Sequence, residues 1–94
     1  METIKIRIEK IKEFREVEIT LPYYSKDLCH YFKVFSPEKA IMITDLSGHY
    51  SVDFVNVDLA FGSATETTES SRDEFNMAFE SVIKIFCDKL ESHE

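Results

Sequence analysis

The chain reads as an α+β domain: a five-stranded antiparallel β-meander with one C-terminal amphipathic helix packed across one face, an open-faced sandwich. Three observations predict it. Near the C-terminus Phe75, Phe79, Val82, Ile83, Phe86 and Leu90 recur at i, i+4, i+7, i+8, i+11 and i+15, one face of a 3.6-residue helix. Upstream, apolar and polar residues alternate with period two, as half-buried strands do. Turn residues punctuate those alternating runs.

In chain order, Ile4, Ile6 and Ile8 alternate with Lys5, Arg7 and Glu9, giving a strand over about 3–9. Val17, Ile19 and Leu21 repeat the alternation against Glu16, Glu18 and Thr20 over about 15–21, with Ile11 and Phe14 able to extend the two strands. Sequential strands usually pair, so these form a hairpin, and Pro22 ends the second. Tyr23 to Asp27 reads as a loop. Extended structure resumes over about 30–35, and Ser36-Pro37-Glu38-Lys39 makes a type I turn. Ala40 to Thr44, apolar almost throughout, suits a central strand over about 40–45.

Gly48 supplies the positive φ of the next turn. The strand over about 49–61 changes phase: Tyr50, Val52 and Phe54 are even, Val55, Val57 and Leu59 odd, which places a bulge, a bend or an end at Phe54-Val55. Gly62 to Ser70 is a polar connector. The helix then covers about 71–90, opened by a Ser71/Glu74 capping box. Its apolar arc spans roughly 200°, so something large must cover it. The expected core is Ile4, Ile6, Ile8, Val17, Ile19, Leu21, Phe75, Phe79, Val82, Ile83 and Phe86, with the second sheet face left to water.

Ninety-four residues with 44% hydrophobic content make one domain over 1–94. No apolar run approaches the roughly 18 residues of a membrane span and no signal segment opens the chain, so a cytoplasmic protein without a membrane role is expected. Cys29 and Cys87 are expected to be reduced and buried. The net charge is -7. Between Asp45 and Glu80, eight carboxylates stand against Arg72 alone, so that stretch by itself accounts for -7. Direct nucleic-acid binding is disfavoured, because phosphate affinity comes from Lys and Arg.

Catalytic and metal motifs are missing from the sequence. No C-x-x-C, H-x-x-x-H or D-x-D-x-D-G spacing occurs, and the two glycines cannot build a phosphate loop. His30 and Cys29, adjacent on an expected strand, should point to opposite faces and share no ion. His49 falls in a turn and His93 in the tail. Ser47, Ser51, Ser63, Ser70 and Ser71 all have turn or capping explanations, and no G-x-S-x-G occurs. Asp53 and Asp58, on one long strand, read as a solvated pair. No catalytic residue, metal or cofactor is therefore assigned.

The candidate contact residues are a tyrosine cluster, Tyr23, Tyr24 and Tyr31, and the acidic side chains Asp53, Asp58, Glu66 and Glu69. Together they point to a small acidic, non-enzymatic binding or regulatory protein acting on another protein. A partner with a basic surface fits, including inhibition of a nucleic-acid-binding protein. The wide apolar arc also permits a homodimer. The alternative is a small enzyme or ligand-binding domain with a cavity between helix and sheet.

Overall fold

The computed structural model describes residues 3–10, 13–46, 48–62 and 66–91. The expectations for Ile11, Ser47, Ser63, His93 and the side chain of Ile8 lie outside the described residues. The elements in order are β1 (Thr3–Lys10), β2 (Glu13–Thr20), β3 (Tyr23–Lys26), β4 (His30–Val34), β5 (Lys39–Leu46), β6 (His49–Asn56), a 3-10 segment (Val57–Phe61), β7 (Thr68–Glu69) and α1 (Arg72–Glu91).

The fold is α+β, with one helix packed on a five-stranded antiparallel sheet. The five strands are not the five expected. β1 and β2 form their own two-stranded hairpin, paired from Thr3–Thr20 to Lys10–Glu13, and the sheet under the helix runs β6-β5-β4-β3-β7. Tyr23–Lys26, expected as a loop, is the strand β3, entered through a cis Leu21–Pro22 peptide. β7 returns from the connector to pair with β3, setting Ser25 opposite Glu69.

Two cores result, one on each face of the sheet. Ile6 and Ile19 of the hairpin pack with Phe32, Val34 and Ala40 of the sheet and with Val57, Ala60 and Phe61 of the 3-10 segment. On the other face Phe75, Ala78 and Val82 of α1 pack with Tyr24 and Ile43. The second sheet face, expected to be wet, is thus covered by the hairpin. β4 and β5 explain why: they carry apolar side chains in both phases, and such strands need a cover on each side. The buried Ser25 hydroxyl donates to the Ala60 carbonyl at 2.6 Å, tying the 3-10 segment under β3.

The irregularity near Phe54-Val55 is not a bulge. β5 and β6 pair one to one from Lys39–Asn56 to Leu46–His49. The strand ends at Asn56, and the odd residue Val57 is buried from the 3-10 segment, on the hairpin side. Gly62 closes that segment at φ 85° and Gly48 turns between β5 and β6 at φ 79°, both in the region glycine tolerates. Asp58 accordingly lies in the 3-10 segment and not on a strand with Asp53.

Ser71 caps α1, its hydroxyl accepting from the Glu74 N–H at 3.2 Å. The other half of the expected capping box is diverted: the Glu74 carboxylate is ion-paired with Lys26 of β3. Among the expected core residues, Ile6, Ile19, Phe75 and Val82 are buried, and Ile4, Val17 and Leu21 pack partly buried. Phe79, Ile83 and Phe86 are not core residues; each keeps more than a third of its surface exposed.

Candidate protein-binding surface

The residues of α1 that the sheet covers are Phe75, Ala78 and Val82, with Ile85 half-buried. That is a narrower stripe than the apolar arc. The helix starts at β3, where Phe75 meets the Tyr24 ring at 5.7 Å, and crosses β4 and β5 to reach β6. From Phe75 to Ile85 it rises about 15 Å. The sheet from β3 to β6 is about 14 Å wide, at roughly 4.8 Å per strand. The docked stripe thus runs as far as the half-buried Ile85, and beyond it Phe86 and Leu90 are exposed.

The rotation of the helix decides what its flanks present. A cleft of about 300 Å³ on one flank is lined by Tyr31, Asp45, Glu74, Met77, Ala78 and Ser81. By helical spacing Phe79, Ile83 and Phe86 lie on the opposite flank, and on the same side of the sheet β6 carries Val52 and Phe54, opposite Ile43 and Ile41 of β5. The surface so formed is apolar: Phe79 is 38% exposed, Val52 36%, Phe54 75% and Leu90 72%. Phe35 meets Phe54 edge-on at 6.0 Å and extends it.

This surface adjoins a free strand edge. β6 is the last strand of its sheet, and among the described residues nothing pairs with its outer side. The Val57 N–H donates to the Glu38 carbonyl at 2.9 Å. In an antiparallel ladder the residues facing the neighbour then alternate, so Val55, Asp53 and Ser51 face β5. Tyr50, Val52, Phe54 and Asn56 direct their backbone N–H and C=O groups outward.

The structure disperses the residues singled out from the sequence. Tyr23 stacks on Phe61 at 5.1 Å in the hairpin-side core. Tyr24 is buried against Phe75, and Tyr31 packs beside the helix. The tyrosines are structural parts of two different faces. Asp53, accepting from the Ser51 hydroxyl at 2.9 Å, sits on β6, while Glu69 lies on β7 and Glu66 just before it. Those are opposite edges of the sheet, about 19 Å apart across four strand spacings. The acidic stretch is therefore not one patch. The exposed stripe itself is not anticipated by the sequence, which places Phe79, Ile83 and Phe86 in the core, whereas they are exposed.

One polar cluster corrects a sequence expectation. Cys29 and His30 do not point apart, because Cys29 lies in a turn before β4. His30 Nδ1 is 3.2 Å from Cys29 Sγ and 2.9 Å from Asp27 Oδ1. The same carboxylate oxygen accepts from the backbone N–H groups of Cys29, at 2.9 Å, and His30, at 2.8 Å. Three metal-ligating side chains thus lie together, beside a cleft of about 590 Å³ lined in part by Leu28, Glu66 and Thr68. Burial, with Asp27 beside it, pushes the Cys29 thiol upward, away from the thiolate a metal or nucleophile needs. Asp27 is accounted for as the residue that closes this turn. Cys29 and Cys87 are free thiols, Cys87 being exposed and not buried.

No described helix is long and apolar enough to cross a membrane. Compared with known proteins, the chain matches no family model, no curated protein and no solved structure.

Proposed function

We propose that this is a non-enzymatic protein-binding module whose contact surface is the apolar flank of α1 together with the adjoining face and edge of β6. One observation carries the reading: Val52 and Phe54 on the helix side of β6 and Phe79, Ile83, Phe86 and Leu90 on one flank of α1 are all exposed. Taking about 180 Å² for a fully exposed large side chain, these residues offer roughly 500 Å² of apolar area, near the upper end for a monomer. Such faces mark interaction sites. A partner strand or helix laid there gains apolar burial from the stripe and hydrogen bonds from the β6 edge. Affinity purification with tagged wild type and an Ile83→Asp variant tests it. Partners captured by wild type and lost from the variant are expected. An unchanged set of partners overturns the reading.

The net charge of -7 favours a second reading, an acidic regulator of a basic or nucleic-acid-binding protein. Salt separates the two. Binding through carboxylates weakens steeply between about 50 and 200 mM salt, whereas binding through the apolar face does not.

A further inference from the structure

We infer that the occupant of this surface is a second copy of the chain, joined by antiparallel pairing of β6 with β6 of the partner. The inference rests on the docking surface proposed above and names what fills it.

The two edges of the five-stranded sheet differ. β7, at one end, is two residues long, a blunted edge. β6, at the other, is eight residues long, with no Lys, Pro or bulge to discourage pairing. Its outward-directed residues, Tyr50, Val52, Phe54 and Asn56, are all uncharged, as is the exposed helix stripe, in a chain that is 31% charged. Two copies of charge -7 repel, so a self-contact requires a neutral face such as this one.

Two registers pair seven of the eight residues of β6, with the axis at Val52 or at Asp53. Outward residues must meet outward residues, so the two-fold axis passes through a residue and not between two. An axis at Asp53 would set two carboxylates directly opposite, which is destabilising. An axis at Val52 pairs Val52 with the partner's Val52, Tyr50 with the partner's Phe54, and Ser51 with the partner's Asp53. This arrangement makes a continuous ten-stranded sheet.

Sedimentation equilibrium of the full chain up to about 200 μM tests this. A dimer is expected, tightening as salt screens the like charges. Val52→Pro removes an N–H that points outward, so the sheet keeps its own bonds while the pairing is blocked; the dimer dissociation constant should rise at least about tenfold. Phe54→Lys, which leaves the backbone intact, should do the same, and Phe86→Asp should act through the exposed helix flank. Circular dichroism confirms that each variant is folded. A wild type monomeric throughout the range overturns the second copy, while the face-dependent capture described above would still stand. A dimer lost in Phe86→Asp but indifferent to Val52→Pro and Phe54→Lys overturns the strand pairing and keeps the face. A dimer indifferent to all three overturns both.

Discussion

At the scale of single residues, two groups report their surroundings through protons. The Cys29 thiol is held up by burial and by the Asp27 carboxylate. In a Cys87→Ser background it should be slow to label at neutral pH, and Asp27→Asn should speed labelling by removing the negative neighbour. A rate unchanged by Asp27→Asn would show that burial alone controls the thiol. The Lys26–Glu74 pair works in the opposite sense. The hydrogen bond and charge of Lys26 hold Glu74 below its ordinary 4.5, and the hydrogen bond and charge of Glu74 hold Lys26 above 10.5. A lowered carboxylate contributes stability above its ordinary value and loses it as pH falls through the folded one. A raised ammonium keeps its contribution until pH rises through its folded value. Their support of the helix start is thus present between those limits and lost on either side. Glu74→Gln should lower the melting temperature at pH 7 and leave it unchanged near pH 2, read by thermal denaturation.

At the scale of elements, the helix has a docked stripe and an exposed one, and substitutions should tell them apart. Phe75 is buried, so Phe75→Ala should cost about 3–5 kcal/mol. Phe79, one turn on, is 38% exposed, and Phe79→Ala should cost about 1–2 kcal/mol in the monomer. Urea denaturation at low protein concentration checks both. Equal costs would mean that Phe79 is docked as deeply as Phe75. Ser71→Ala removes the acceptor of the Glu74 N–H and should cost about 1 kcal/mol.

For the whole molecule the consequence is layering: hairpin, sheet and helix, with a separate apolar cluster on each side of the sheet. Layers packed on opposite faces are about 10 Å from the sheet, so side chains in the two clusters share no direct contact. Ile6→Ala and Val82→Ala should therefore destabilise additively to within about 0.5 kcal/mol. A coupling larger than about 1 kcal/mol in the double-mutant cycle would show that the two clusters behave as one core.

The sequence determined the local structure. Alternation in Thr3–Thr20 specified the hairpin, Ser71 specified where the helix begins, and the spacing from Phe75 to Leu90 specified its apolar arc. Those signals come from residues within one or two turns of each other, where chain geometry alone fixes which side chains share a face. Tertiary structure decided the rest. Tyr23–Lys26 becomes a strand because β4 and β7 flank it, not through any alternation of its own. The hairpin left the main sheet for its opposite face because β4 and β5 needed two covers. The helix arc was visible in the sequence, but the sheet covers only the stripe of Phe75, Ala78 and Val82 within it. How the helix is rotated on the sheet and how many strands pair are long-range properties that no periodicity encodes, and they leave the apolar flank and the β6 edge exposed.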